Sequence, residues 1–141
     1  MKLNAATYDA LRLMIALAPG TSVLNRYYLS NVTGISPPST YKLLGILSRS
    51  GLVSSERGLG GGYRLAKPAS DITLYDIIKT MQGFSFTSCL DKKADLQIDP
   101  GDPLFQTLTG LQTQMGSVLE HITLSDLCGE TTSEKSCETA V

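Results

Sequence analysis

The chain has 141 residues, of which 42% are hydrophobic and 18% are charged, and its formal net charge is −1. This length and composition favour one compact domain with an accessory element, and an apolar run long enough to cross a membrane is missing. The amino terminus lacks the pattern of a signal peptide, and three cysteines do not suggest a disulfide framework, so we expect a cytoplasmic protein without a membrane partner.

The near-neutral total hides two halves of opposite charge. Residues 1–67 contain eight Lys or Arg and two acidic residues, which gives a formal charge of +6. Residues 68–141 contain four lysines and eleven acidic residues, which gives −7. A basic half joined to an acidic half is typical of a DNA-facing domain linked to a sensor or dimerisation region. Clustering of charge by chance is the alternative.

Three helices are predicted before residue 50. Apolar residues at helical spacing indicate the first helix, and these are Tyr8, Leu11, Ile15 and Ala18. The second helix covers residues 25–32, and its expected inward side chains are Tyr28, Leu29 and Val32. The third helix has Ser36 as its N-cap and Pro37 at its first position, and it ends at about Arg49. Its expected buried stripe is Thr40, Leu43, Leu44 and Leu47, and this order of elements is the helix-turn-helix pattern.

The most specific motif follows the third helix, over residues 51–66. Two strand-like runs, residues 52–55 and 63–65, flank a loop that contains four glycines, and Arg57 stands where the first strand enters this loop. Helix, strand, glycine-rich tip and strand is the layout of a winged helix. We therefore expect a mainly α fold with a small β-hairpin wing. A dinucleotide-binding loop is disfavoured, because Tyr63 stands where that pattern needs glycine and a strand follows instead of a helix.

The predicted DNA-binding residues lie on the third helix and in the wing. Near the N-terminus of that helix, Ser39, Tyr41 and Lys42 can reach base edges or phosphates from the major groove. Arg57 suits a narrow minor groove, whose negative potential attracts arginine. Glycine lets a backbone approach phosphates closely, so the predicted set also includes Gly58, Gly60 and Gly61. A solvated helix face is the alternative for the helical residues, and Tyr63 is expected to pack rather than bind.

A long helix is the second strongest signal, and it begins with Asp102 as cap and Pro103 at its first position. Its apolar residues follow heptad-type spacing, and the seam is Leu104, Leu108, Leu111, Met115, Val118 and Ile122. A narrow seam of this length favours helix pairing across a homodimer, and packing within its own chain is the alternative.

These patterns divide the chain into four predicted parts. The winged helix-turn-helix domain, with a fourth helix over residues 73–81, covers residues 1–82. An irregular sensor or linker segment follows over residues 83–102. Residues 103–128 hold the dimerisation helix and its cap, and residues 129–141 form a polar tail that we expect to be disordered.

The stretch of residues 51–66, together with residues 71–73, resembles the signature of the IscR/NsrR/CymR group of bacterial regulators, the Rrf2 family. The resemblance extends over about residues 1–128. It implies a homodimer with two winged helices that represses or activates transcription, and we expect repression. By position it implies that Arg57 is the family's minor-groove arginine, and that the base-reading segment contains Ser39, Tyr41 and Lys42.

The cysteines depart from the pattern of the family's iron–sulfur members. Those members carry three cysteines within about fifteen residues before the long helix, and here only Cys89 lies in that segment. Cys128 follows the long helix and Cys137 lies in the tail, so we expect no cofactor and no metal, although a cluster shared across a dimer stays open. A thiol switch between Cys89 and Cys128 is another possibility, and two small buried hydrophobes are the third.

Two further functions compete with DNA binding. A winged helix can serve contact between proteins, but the +6 half favours DNA. An enzyme is not expected, because His121 is the only histidine and no catalytic residues or metal ligands occur at motif spacing. The expected partners are therefore double-stranded DNA and a second copy of the chain, with an effector that is a small molecule or a protein.

Overall fold

The computed structural model describes residues 2–20, 22–84 and 99–129. Three helices come first, and they are α1 (Ala5–Leu17), α2 (Arg26–Thr33) and α3 (Pro37–Arg49). An antiparallel hairpin of β1 (Val53–Glu56) and β2 (Gly62–Leu65) follows. After a short 3-10 turn (Ala69–Asp71) come α4 (Leu74–Gln82) and α5 (Pro103–His121), and residues 124–129 form a last helical segment. This arrangement confirms a mainly α fold with a small β-hairpin wing.

Helix starts lie where the capping residues predict them. In α4 the N-cap Thr73 and Asp76 form a capping box, each side chain accepting a hydrogen bond from the other's backbone N–H. Ser36 is the N-cap of α3 and Pro37 its first residue, as predicted. The Ser36 hydroxyl, however, bonds to the Ser39 hydroxyl at 3.0 Å instead of capping the backbone.

The hydrophobic core lies between α1, α3, α4 and the inner side of the hairpin. The predicted stripe of α3 is confirmed, since all four of its members are buried. The large side chains that solvent does not reach include Leu13, Met14, Leu17, Leu29, Leu44, Leu47, Ile72, Ile77 and Leu124. Burying each such side chain favours folding by roughly 1.5–3 kcal/mol.

The predicted inward face of α2 is partly wrong. Tyr28 and Val32 are each 53% exposed, whereas Leu29 is buried. Ser30 and Thr33 occupy the inner face instead, and their hydroxyls donate to backbone carbonyls at 2.6 Å each. Because these bonds satisfy the buried hydroxyls, polar residues can face the core. A prediction that uses only the apolar residues therefore selects the wrong face of α2.

The apolar residues whose spacing predicted α1 are also not its most buried ones. Tyr8 is 59% exposed, and the other three are only partly buried. Helix α1 contacts α2, α3 and α4, so its apolar arc is wider than one stripe. Its buried residues are Thr7, Ala10, Leu13, Met14 and Leu17.

Helix α5 joins the rest of the molecule through α4 and through the turn that follows α5. Gly116 packs against the ring pair of Tyr75 and Phe84, whose centroids are 5.7 Å apart. The Leu74 amide donates to the Ile122 carbonyl at 2.8 Å, which ties the end of α5 to the start of α4. Within the described residues, no helix is both long and apolar enough to cross a membrane.

Several predictions fall outside the described residues. Most of the sensor segment lies in residues 85–98, and Cys89 belongs to it. The tail, with Cys137, lies in residues 130–141. The expectations for these two segments stay predictions.

Candidate nucleic-acid interface

The packing of α3 determines which of its side chains face outward. Because Thr40, Leu43, Leu44 and Leu47 face the core, Ser39 and Lys42 lie on the exposed side near the start of the helix. Tyr41 is half-buried beside them. The structure therefore brings the three predicted side chains together at the N-terminal half of α3.

The wing places Arg57 immediately after β1, fully at the surface. Gly58 and Gly60 have φ values of 98° and 79°, in the left-handed region that favours glycine. Leu59 is completely exposed between them, so the tip of the hairpin is open to a ligand.

Two further glycines of the wing are required by the protein's own backbone. A Cβ atom on Gly61 would lie 2.4 Å from the Glu56 carbonyl oxygen, within the hairpin tip. A Cβ atom on Gly62 would lie 2.3 Å from the Leu24 carbonyl oxygen. Leu24 forms an isolated bridge with Tyr63, with reciprocal N–H···O bonds of 2.8 Å. Gly62 thus lets the wing dock on the segment before α2, and Tyr63 packs as predicted.

The charges of the wing are divided unequally. Arg64 on β2 forms an ion pair with Glu56 on β1, with an N···O distance of 3.1 Å. Arg57, next to Glu56 in sequence, has no ion pair among the described residues. The unbalanced positive charge of the hairpin therefore lies at its tip.

A cleft of about 510 Å³ separates the hairpin from the start of α2, and we call it the wing groove. Its walls include Asn25 and Arg26 on one side and Arg57 on the other. The rest of the lining is formed by Ser55, Glu56, Gly58, Gly61, Gly62 and Tyr63. Two arginines from different elements thus face one cleft.

Arg26 belongs to a cluster with two tyrosines that the sequence did not predict. Its guanidinium carbon lies 4.3 Å from the ring centroid of Tyr41 and 5.3 Å from that of Tyr27. The two rings meet edge to face, with centroids 6.1 Å apart. A hydrogen bond to Tyr41 and the neighbouring Arg26 lower the pKa of Tyr27, while desolvation raises the pKa of Tyr41. We call these three residues the Arg26 cluster.

The predicted dimer seam of α5 is largely at the surface. Leu104 and Val118 are 65% and 62% exposed, and Leu111 and Met115 are also exposed. Leu108 and Ile122 are half-buried. In a helix of 19 residues, only Gly116 is fully buried. The apolar face of α5 is therefore not covered by the described part of its own chain.

The described residues of the predicted sensor show no ligand set. Cys128 is half-buried against α1, with its sulfur 4.0 Å from the Ile15 carbonyl oxygen, and burial raises the pKa of its thiol. His121 is exposed, and its Nδ1 lies 2.6 Å from the Ser117 carbonyl oxygen. No group of three or more His, Cys, Asp or Glu side chains that could hold a metal occurs in the described residues.

The fold is shared with known regulators. The family model Rrf2, described as iron-dependent transcriptional regulator, matches residues 3–130. The chain belongs to the Rrf2 family. It is 32% identical to Protein aau3 of Rhizobium meliloti (strain 1021) over 130 residues, which cover 90% of this chain and 84% of that protein.

The solved structures of two regulators resemble this protein over most of their length. IscR of T. potens has a TM-score of 0.73 and 26% identity, and the match covers 93% of this chain and 88% of that one. Oxidized CymR of Staphylococcus aureus has a TM-score of 0.67 and 28% identity, with 91% and 96% covered. The protein is thus a transcription regulator with a winged-helix DNA-binding fold, and the prediction that it is not an enzyme is confirmed.

Proposed function

We propose that the protein is a homodimer that binds a specific double-stranded DNA sequence and represses transcription from it. The observation that carries this proposal is the surface formed by α3 and the wing. On it, Ser39, Lys42 and Arg57 are all exposed, and α3 has no acidic residue. Such a surface is complementary to a polyanion, and the positive N-terminal half of the sequence extends it.

The residues of this surface have different proposed roles. Ser39 and Lys42 contact base edges or phosphates in the major groove, since a helix of this size fits that groove. Arg57 enters the neighbouring minor groove. The open turn at Gly58 and Gly60 brings the backbone of the tip close to the DNA, and Gly61 keeps that turn tight.

Dimerisation is proposed to occur through α5. Its exposed apolar seam is contiguous along about 30 Å of helix, and a face of this kind on a regulator marks a protein interface. A two-fold dimer places two winged helices on two half-sites, so the operator is expected to be palindromic. Repression follows most simply, because a dimer that covers two half-sites occludes the promoter from polymerase.

The family description names a dependence on iron, and the described residues, with one cysteine among them, do not supply the thiolate set of an iron–sulfur cluster. Cluster ligands are thiolates, whereas burial disfavours the thiolate of Cys128. We therefore propose that Cys128 is a packing residue rather than a ligand or a redox switch. Protein purified without oxygen is expected to contain no stoichiometric iron and no visible absorbance. Iron that is lost in Cys128→Ser would contradict this.

The DNA proposal is tested with two exposed cations of the first half. Wild-type protein first selects its preferred duplex from a random-sequence pool, and affinity is then measured by fluorescence anisotropy. Arg57→Ala is expected to weaken binding about tenfold or more. Lys67→Ala, which removes a charge just beyond β2, is the control and is expected to have a small effect. Equal effects would refute the wing assignment, and binding without salt dependence would favour the role in protein contact.

A further inference from the structure

The wing groove carries two arginines that have no acidic partner in the described part of the chain. Among the described residues, the ion pairs are Arg12 with Asp9 and Arg64 with Glu56. Arg26 and Arg57 form none, although they line the same cleft of about 510 Å³. Two like charges facing one cleft favour an anion between them, because it lowers their mutual repulsion.

Two other polar side chains of the wing groove, Asn25 and Glu56, are already engaged. The Asn25 side-chain oxygen accepts a hydrogen bond from the Tyr27 amide at 2.7 Å. The Glu56 carboxylate is paired with Arg64 at 3.1 Å, so its charge is compensated inside the hairpin. The uncompensated charged groups that the groove offers a ligand are therefore its two guanidinium groups. A ligand that only accepts hydrogen bonds and is negatively charged, such as a phosphate, fits this lining.

The Arg26 cluster holds one of these guanidinium groups in place. A guanidinium stacked on an aromatic face keeps its N–H groups in the ring-parallel plane, where they remain available to a ligand. The 4.3 Å distance to the Tyr41 centroid is in the range of a close cation–π contact. Tyr27 borders the same guanidinium at 5.3 Å, and restricts it further.

We propose that the wing groove binds one backbone phosphate of the DNA, held between Arg26 and Arg57, and that Tyr41 positions Arg26. The inference rests on the proposed DNA-binding function and adds a contact from α2 to it. It also gives Tyr41 a different role from the one its sequence position suggested, because its ring supports an arginine rather than reading a base. The phosphate contact anchors the wing relative to α3 and carries no sequence information.

The first experiment compares Arg26→Gln with Arg49→Gln in the full-length protein. Both remove one exposed arginine charge from the same domain, but Arg49 lies at the far end of α3 and does not line the groove. Affinity for the selected duplex and for an unrelated duplex is measured over a series of KCl concentrations. For Arg26→Gln, the slope of log affinity against log salt is expected to fall in magnitude by about 0.9, the value for one B-DNA phosphate.

The affinity changes complete this test. Arg26→Gln is expected to weaken both duplexes equally, by about tenfold, which is the scale of one charge-assisted hydrogen bond. Arg49→Gln is expected to change both the slope and the affinity little. If the two variants behave alike, the phosphate site is refuted, while an effect of Arg57→Ala would still support DNA binding. If the wild type binds no duplex at all, the proposed function itself fails.

The second experiment separates positioning by Tyr41 from direct contact. Tyr41→Phe keeps the ring under Arg26 and is expected to stay within about twofold of wild type. Tyr41→Ala removes the ring and is expected to approach the loss of Arg26→Gln, with little added loss when both changes are combined. A Tyr41→Phe variant as weak as Tyr41→Ala would show that the hydroxyl itself binds DNA, and would overturn the positioning role.

A third measurement distinguishes a DNA phosphate from a free anion. Inorganic phosphate is titrated against DNA complexes of the wild type and of Arg26→Gln at constant ionic strength. Equal displacement in the two proteins is expected. Displacement that only the wild type shows, together with an unchanged salt slope in Arg26→Gln, would assign the groove to a small anion instead.

Discussion

Helices α3 and α5 both carry a regular apolar stripe, but the two stripes have opposite surroundings. In α3, Leu44 and Leu47 are completely buried by the rest of the domain. In α5, Leu104 and Val118 remain more than half exposed, although this helix is longer by six residues, 19 against 13. The same local pattern is therefore buried inside the chain in α3, whereas in α5 the described residues leave it uncovered.

This difference separates the two helices by the surface that each leaves exposed. The apolar stripe of α3 is buried within one chain, and the opposite side of this helix exposes Ser39 and Lys42. Helix α5 packs few of its residues against its own chain and presents apolar side chains to solvent. An exposed apolar face of this kind marks an interaction surface. The proposed DNA contact and the proposed subunit contact are therefore expected to change independently, and the following substitutions test that separation.

The largest expected effect is at the core of the first half. Leu44→Ala should lower the free energy of unfolding by about 2–5 kcal/mol, because the residue is completely buried and leaves a cavity. Urea unfolding followed by circular dichroism measures this loss. Val32→Ala, at an exposed position of α2, should cost about 0.5 kcal/mol or less. Similar losses in the two variants would mean that α3 is not the centre of the core.

A charge in the seam of α5 should act on assembly instead. Val118→Asp is expected to weaken the proposed dimer about a hundredfold or more, since each interface would bury two uncompensated carboxylates. The monomer should stay folded, because Val118 is 62% exposed within its own chain. Sedimentation velocity over a range of concentrations measures the dissociation.

The control for this variant lies on the same helix. Gln106→Asp adds the same charge at an exposed position on the side of α5 away from the seam, and it should leave assembly unchanged. Unfolding of Val118→Asp at low concentration would show that the seam packs within its own chain. A wild type that is monomeric at high concentration would refute the dimer.

Two wing glycines offer a smaller and more local contrast. Gly62→Ala should destabilise the protein by about 1–3 kcal/mol, because the new Cβ would collide with the Leu24 carbonyl group. In Gly60→Ala the new Cβ has open space around it. This variant should lower the free energy of unfolding by only about 1 kcal/mol, because alanine disfavours the left-handed conformation. Hydrogen exchange of the Tyr63 amide, which donates to Leu24, should accelerate in the first variant only. Equal acceleration would show that the wing is not docked through Gly62.

The sequence predicts the elements of this fold well because their ends are marked locally. Ser36 with Pro37, and Asp102 with Pro103, mark the starts of α3 and α5 through backbone geometry that needs no tertiary information. The face that each helix buries is less predictable. In α2, hydroxyls bonded to nearby carbonyls replace the expected apolar residues, and only the folded chain shows that those carbonyls are within reach.

The candidate site shows the same limit. Arg57 can be placed from sequence, since the hairpin pattern fixes its position at the tip. The contact of Arg26 with Tyr41 cannot, because it joins two helices whose meeting depends on the turn at Gly34. The wing glycines were expected to serve the approach to DNA, but Gly62 is fixed by a neighbouring backbone that is distant in sequence.

The smallest expected effect concerns the turn that fastens α5 to the first half. Asp126 accepts a hydrogen bond from the Thr123 amide at 3.0 Å and donates its own amide to the Thr123 hydroxyl at 3.2 Å. These bonds lower the pKa of Asp126 below its ordinary value.

A carboxyl whose pKa is lower in the folded state stabilises that state above its unfolded pKa. This contribution disappears as the pH falls through the folded value. The difference in unfolding free energy between wild type and Asp126→Asn should therefore be largest at neutral pH and shrink in acid. A difference that grows in acid would show that the carboxylate does not hold this turn.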